Sequence, residues 1–139
     1  MQLDQFTQNS MKAIQDCEKL AYEYGNQEME QEHLLVALLR QEDSLIKKLI
    51  ERMEINVEHF VSKAEEALSK RVKVQGGQLL VGDYLNKTLI TAEDEAKKMG
   101  DSYVSVEHLF LSMLKHPSKT MKAIFFMFFR SLKRFINSV

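Results

Sequence analysis

Few residues here break a helix, and fewer carry chemistry. The chain has one proline, five glycines, one cysteine and no tryptophan among 139 residues. With so few breakers, apolar residues at helical spacing dominate, and an all-helical fold is expected. A single cysteine excludes an internal disulfide and points to a reducing, cytoplasmic setting. Cys17 lies at an apolar helical position, where a thiol packs as a small hydrophobe rather than serving as a nucleophile. No apolar run reaches the roughly 18 residues of a membrane helix. The opening MQLDQFTQNS has neither the basic patch nor the apolar stretch of a secretory signal. A net charge of −1 provides no overall field for nucleic acid or an anionic membrane.

Catalytic motifs are missing as well. There is no phosphate loop G-x-x-x-x-G-K-[ST], no nucleophile elbow G-x-S-x-G and no H-E-x-x-H pair. His33, His59, His108 and His116 lack zinc-ligand spacing, so neither metal nor cofactor is expected. A composition of 45% hydrophobic and 28% charged residues is that of an ordinary globular domain.

What the chain does contain is repetition. EHLLVALL at 32–39 returns as EHLFLSML at 107–114, 75 positions on. At that offset Ala21 meets Ala96, Gly25 meets Gly100, and both Glu-His pairs coincide. Ile14 meets Leu89, Cys17 meets Ala92 and Phe60 meets Phe135. Helical periodicity would align leucines, but not also two glycines and two Glu-His pairs; the chain is read as an internal duplication. The expected organisation is one domain over 1–139. Repeat one covers about 1–69, a Gly76-Gly77 connector about 70–82, and repeat two about 83–139. At the same offset the last helix would run to about position 144, so repeat two is expected to end early.

Each copy reads as four helices. The first spans about Thr7–Tyr24, with Thr7 as N-cap, Phe6 and Met11 as a staple, and Gly25 closing it. Asp83 is the expected cap of its counterpart. The helix carrying the Glu-His pair starts at Glu30 in the first copy and Ser105 in the second, which places His33 and His108 at N3. A third helix is expected over Asp43–Met53 and a fourth over Val57–Ser69, with counterparts from about Ser118 and Ser131. The copies are expected to pack face to face with pseudo-twofold symmetry. Two readings of the Glu-His pairs stand side by side. In one, the carboxylate serves the helix dipole and the imidazole bonds a backbone group near the neighbouring helix. In the other, the glutamates catch a cationic or peptide partner beside an apolar groove.

The residues LDQFTQNS, A-x-x-Y-G-N and EHLLVALL, followed by AKKMGDSYVSVEHLFLSML, resemble the amino-terminal domain of the Clp chaperone ATPases, ClpB-type disaggregases above all. The resemblance implies an all-α fold of two tandem four-helix repeats. It further implies a mobile module that binds exposed segments of unfolded or aggregated polypeptides, or an adaptor, in protein disaggregation under stress. In that family the module is tethered to AAA+ rings that form a hexameric pore. ATP and magnesium would belong to those rings, and the isolated domain would be a non-enzymatic monomer. By this resemblance Thr7, Asp101 and Glu107 handle substrate. An alternative is the N domain of a ClpC- or ClpA-type, protease-associated ATPase, in which Glu32 and Glu107 would each hold a phosphorylated arginine or the module would dock an adaptor. The ClpC pattern has threonine before each of these glutamates, whereas this chain has Gln31 and Val106. The plain readings are an N-cap for Thr7 and a polar residue after a helix-ending glycine for Asp101.

The sequence IFFMFF at 124–129 departs from the amphipathic IERME at 50–54 and from the family. Phe125 and Phe128 are expected in the core, with Phe126 and Phe129 partly exposed. The other reading is an apolar patch that docks a partner or a second copy. The expected binding surface is a shallow apolar groove between the copies, with Asp101 and Glu107 on its rim favouring basic flanks.

Overall fold

A computed structural model describes residues 3–129. Its helices are α1 (Gln8–Tyr24), α2 (Gln31–Arg40), α3 (Leu45–Arg52), α4 (Val57–Ser69), α5 (Asp83–Lys98), α6 (Val106–Lys115) and α7 (Lys119–Phe128). Two short strands, β1 (Glu28–Met29) and β2 (Leu80–Val81), complete the set. The expected helix from Ser131 and the Phe60/Phe135 match lie outside the described residues.

Helix starts follow capping chemistry. The side chains of Thr7, Ser44, Asn56 and Ser118 accept backbone N–H bonds from the first turns of α1, α3, α4 and α7. α3 starts later than expected because Asp43 takes φ +56° and the cap falls on Ser44. α1 ends at Gly25, whose φ of 69° suits a residue without Cβ.

α5 corrects the expectation for Asp83. Its N-cap is Gly82, which has no side chain to offer, and Asp83 is the first helical residue. The cap comes from the other copy: Glu30 Oε1 accepts from the Leu85 N–H at 2.7 Å and Oε2 from the Tyr84 N–H at 3.4 Å. A Cβ on residue 82 would overlap the Glu30 carboxyl, so glycine is required here by space rather than by φ, which is −70°. Burial raises the pKa of Glu30, with the two N–H groups opposing.

The copies are joined by exchange. Met29 pairs with Val81 in a parallel ladder, and Phe6 bridges Val104 in the same sense. Adding 75 turns 29 into 104 and 6 into 81, so the two bridges are one contact made twice with partners swapped. The same exchange takes the Gly82 N–H to Met29 O at 2.8 Å and the Thr7 N–H to Val104 O at 2.9 Å. This is an isologous interface, of the kind that joins twofold dimers, inside one chain.

The two Glu-His helices form the centre. Every residue from Gln31 to Leu39 is buried, and so is every residue of Val106–Leu114 except Glu107. Apolar residues all round a helix demand such a position. α1, α4 and α5 pack on α2, while α5, α3 and α1 pack on α6. Gln31, 0% exposed, ties three elements together. Its amide donates to Thr88 Oγ1 and His116 O, each at 2.9 Å, and accepts from the Ser118 N–H at 2.8 Å. Cys17 is buried, and burial raises its thiol pKa to about 12, which suits packing and not a thiolate nucleophile.

The aromatic stretch divides differently from expectation. Phe125 is buried and Phe126 is 73% exposed, but Phe129 is buried and Phe128 only half-buried. The cause is where α7 stops. Phe129 is its C-cap, with φ −111° and ψ 117°, and this extended backbone turns the ring inward. There it stacks on Phe125 at 5.7 Å and tilts against Phe60 at 5.9 Å.

Gly82→Ala should lower stability by about 1–3 kcal/mol in urea titrations, the range for overpacking a filled site. In a Glu30→Ala background, with that carboxyl removed, the same substitution should cost much less. Equal costs in both backgrounds would show that the Glu30 carboxyl is not what excludes a methyl group there.

Candidate functional site

The Glu-His histidines have matched geometry. The Glu30 N–H donates to His33 Nδ1 at 2.9 Å, and the Ser105 N–H donates to His108 Nδ1 at 2.9 Å. A backbone donor at Nδ1 places the neutral ring's proton on Nε2. That proton goes to Asn26 Oδ1 at 2.9 Å in the first copy and to Asp101 Oδ2 at 2.7 Å in the second. Each ring therefore pins its own helix start to the residue after a helix-ending glycine. The histidines thus serve their helix starts, but the backbone partner is on the ring's own N-cap and not near the neighbouring helix. Burial, and then the charge of Arg71, lowers the pKa of His33 to about 4. Among the described residues no group of three His, Cys, Asp or Glu side chains is placed to hold a metal ion.

The paired glutamates share a position and differ in surroundings. Glu32 is 3% exposed, and Arg71 Nη1 reaches it at 2.6 Å. Arg71 also lies 3.6 Å from Glu28. Glu107 is half-buried and makes no ion pair among the described residues. Asp101 is exposed, with one carboxylate oxygen on His108. The Thr7 hydroxyl accepts from the Ser10 N–H at 3.2 Å and donates to Ser10 Oγ at 3.0 Å, which is its plain capping role. Thr7, Asp101 and Glu107 thus flank one junction, where residue 7 meets residue 104. Glu32 lies by the other.

A groove of about 820 Å³ lies between α4 and α7, walled at one side by Arg71, Val72 and Val74. Ala67, Val72, Val74, Ala123, Ile124 and Met127 give it apolar lining. It does lie between the copies, but Asp101 and Glu107 do not line it. Its charged lining is Glu28, Glu32, Glu66, Lys63, Lys70, Arg71 and Lys119. The connector wall is fixed by the Asn26 amide donating to Val72 O at 3.1 Å and the Val74 N–H donating to Gly25 O at 2.9 Å. Sequence reading missed Arg71 as a groove residue and Asn26 as its anchor. The available signal was Lys70-Arg71 directly after α4, but no periodicity places an irregular segment.

A duplicated helical domain with an open inter-copy groove and matched Glu-His helix starts defines a class of protein. The family model for the Clp repeat N-terminal domain matches residues 5–127, and the chain belongs to that family. Within it the similarity runs to the ClpB type. The chain is 39% identical over 126 residues to the chaperone protein ClpB of Nitratidesulfovibrio vulgaris, covering 87% of this chain and 15% of that protein. It is 34% identical over 142 residues to ClpB of Clostridium tetani, covering 99% of this chain and 16% of that protein. The chain thus spans about one-sixth of these relatives. Among solved structures, the Hsp104 N-terminal domain from Candida albicans superimposes with a TM-score of 0.86 at 22% identity, over 96% of this chain and 88% of that one. The N-domain of ClpV from Vibrio cholerae does so with a TM-score of 0.78 at 15% identity, over 97% and 82%. A ClpV N-domain in complex with a VipB peptide gives 0.73 at 18% identity, over 90% and 82%. These likenesses share the all-α fold. No helix among the described residues is long and apolar enough to cross a membrane.

The pH dependence follows from His33. Its folded pKa of about 4 lies below the ordinary 6.5, so the unfolded chain binds the extra proton between these values. Its stabilising contribution should be complete above pH 6.5 and fall away as pH drops towards 4, by about 3 kcal/mol in all. Glu30, with its raised pKa, works in the opposite direction, so the ring is best read directly. NMR titration of the His33 imidazole should give a midpoint near 4 and an Nε2–H tautomer. A midpoint near 6.5 would contradict the burial of the ring beside Arg71, and an Nδ1–H tautomer would contradict the backbone bond at Nδ1.

Proposed function

We propose that this domain is the substrate- or adaptor-binding N-terminal module of a ClpB-type, ATP-dependent protein-unfolding chaperone. It engages exposed segments of unfolded or aggregated polypeptides in the cytoplasm and carries out no bond-making chemistry of its own. ATP and magnesium serve the ATPase part of the whole protein, and this domain works without a cofactor.

The observation that carries this reading is the inter-copy groove, an open channel of about 820 Å³ with apolar lining and charged rims. Binding sites for short ligands fall in this size range and combine apolar walls with a few polar groups. The VipB peptide bound to a ClpV N-domain of the same fold is a precedent for peptide capture. An open groove gives modest affinity, which suits a module that must hand its substrate on. Thr7, Asp101 and Glu107 supply a second contact point at the α1–α6 junction, where Glu107 has no ion-pair partner among the described residues and can take a cationic group. Holding a phosphorylated arginine at both glutamates would require Glu32 to give up Arg71, which makes the ClpC-like alternative the poorer fit.

An NMR titration of the labelled domain with an unfolded, apolar peptide should shift Ala67, Val72, Ala123 and Met127. Ala123→Glu, which puts a charge on an exposed position of the groove wall, should remove most of that binding while the fold persists. Shifts confined to the α1–α6 junction would move the site to Thr7, Asp101 and Glu107. An absence of shifts anywhere would reject the proposal.

A further inference from the structure

The charges around the groove narrow what it accepts. Glu32 and Glu28 both face Arg71. Glu66 is shared by Lys70 at 2.9 Å and Lys63 at 3.4 Å, and the hydrogen bonds from Lys70 and then Lys63 lower its pKa. Lys119, on the opposite wall, is exposed and has no acidic partner among the described residues. Among the described residues, the lining therefore holds four cations, Lys63, Lys70, Arg71 and Lys119, against three carboxylates. One of these carboxylates, Glu32, is buried beneath its arginine.

α7 deepens the imbalance. Its first turn contains no acidic residue, although the N-terminal end of a helix favours one. Instead Lys119 stands there, adding its charge to the positive end of the dipole. No aspartate or glutamate follows Glu107 in the sequence, whereas Lys115, Lys119 and Lys122 lie in the described part of that stretch. Of these three, Lys115 alone has an acidic partner among the described residues, Glu95 at 2.9 Å.

We propose that the α4–α7 groove selects polypeptide segments in which an apolar stretch is flanked by acidic residues, the flanking carboxylates meeting Lys119 on one wall and Lys63 and Lys70 on the other. This rests on the groove being the binding surface, and it reverses the basic flanks expected when Asp101 and Glu107 were placed on the rim. The groove's concavity favours a peptide over a bilayer, which would need a convex or flat apolar face. Like charges on a partner are rejected at such a rim, so the preference works by exclusion as well as attraction.

The test uses one apolar peptide in three forms, flanked by glutamate, glutamine or lysine, with affinity read by fluorescence anisotropy at low and high salt. The glutamate form should bind tightest, by about tenfold over the lysine form, and lose that margin as salt screens the rim. Lys119→Glu combined with Lys70→Glu should abolish or invert the order. Lys122→Glu changes the same kind of charge on the same helix but outside the groove lining, and should leave the order intact. Circular dichroism checks that the variants fold. Equal binding of all three peptides would overturn the acidic preference while leaving the groove as the binding surface. Binding of none would overturn both. A preference as sensitive to Lys122→Glu as to the groove pair would place the site elsewhere. Partition onto phosphatidylserine vesicles without peptide binding, or self-association that occupies the groove, would equally reject the proposal.

Discussion

The structure depends on one backbone exchange made twice. Met29 holds Val81, and Val104 holds Phe6, so the loop before each central helix is stitched to the segment that opens the first helix of the other copy. Neither copy completes these hydrogen bonds alone. Buried backbone groups need partners, and here each copy is the other's partner. From this exchange follow the placement of α2 and α6 at the centre, the cap that Glu30 lends to α5, and the requirement for glycine at 82.

Duplication set up equivalent positions, and their neighbours then made them unlike. The histidines kept the same task, each receiving a backbone N–H and each tethering the residue after a helix-ending glycine. The glutamates beside them diverged. Glu32 lies beneath Arg71 and helps fix the connector, whereas Glu107 is left without a cation among the described residues. At positions 31 and 106 the divergence is structural: Gln31 binds three elements together, while Val106 simply packs. Two positions made equivalent by the duplication therefore stand in different surroundings.

The groove exists because the connector cannot be helical and is nevertheless held. Asn26 is central to this, since its amide grips Val72 O and its carbonyl receives the His33 proton. The wall of the groove is thereby coupled to the start of a buried helix. α7 supplies the opposite wall because its aromatic run is split by the end of the helix, with Phe125 and Phe129 inside and Phe126 and Met127 out.

The sequence by itself determined the helices, the duplication and the family, because these rest on local signals. Apolar spacing, Thr7 as a capping side chain and Gly25 as a terminator act within a turn or two of the chain. His33 and His108 were legible as N3 residues for the same reason. What only the tertiary structure decided involves partners far apart in sequence. No local rule assigns the cap of α5 to Glu30, the neutralisation of Glu32 to Arg71, or an inter-copy groove to α4 and α7. Even the fates of Phe128 and Phe129 turned on where α7 stopped, and that point brings Phe129 onto Phe60, a residue of the other copy.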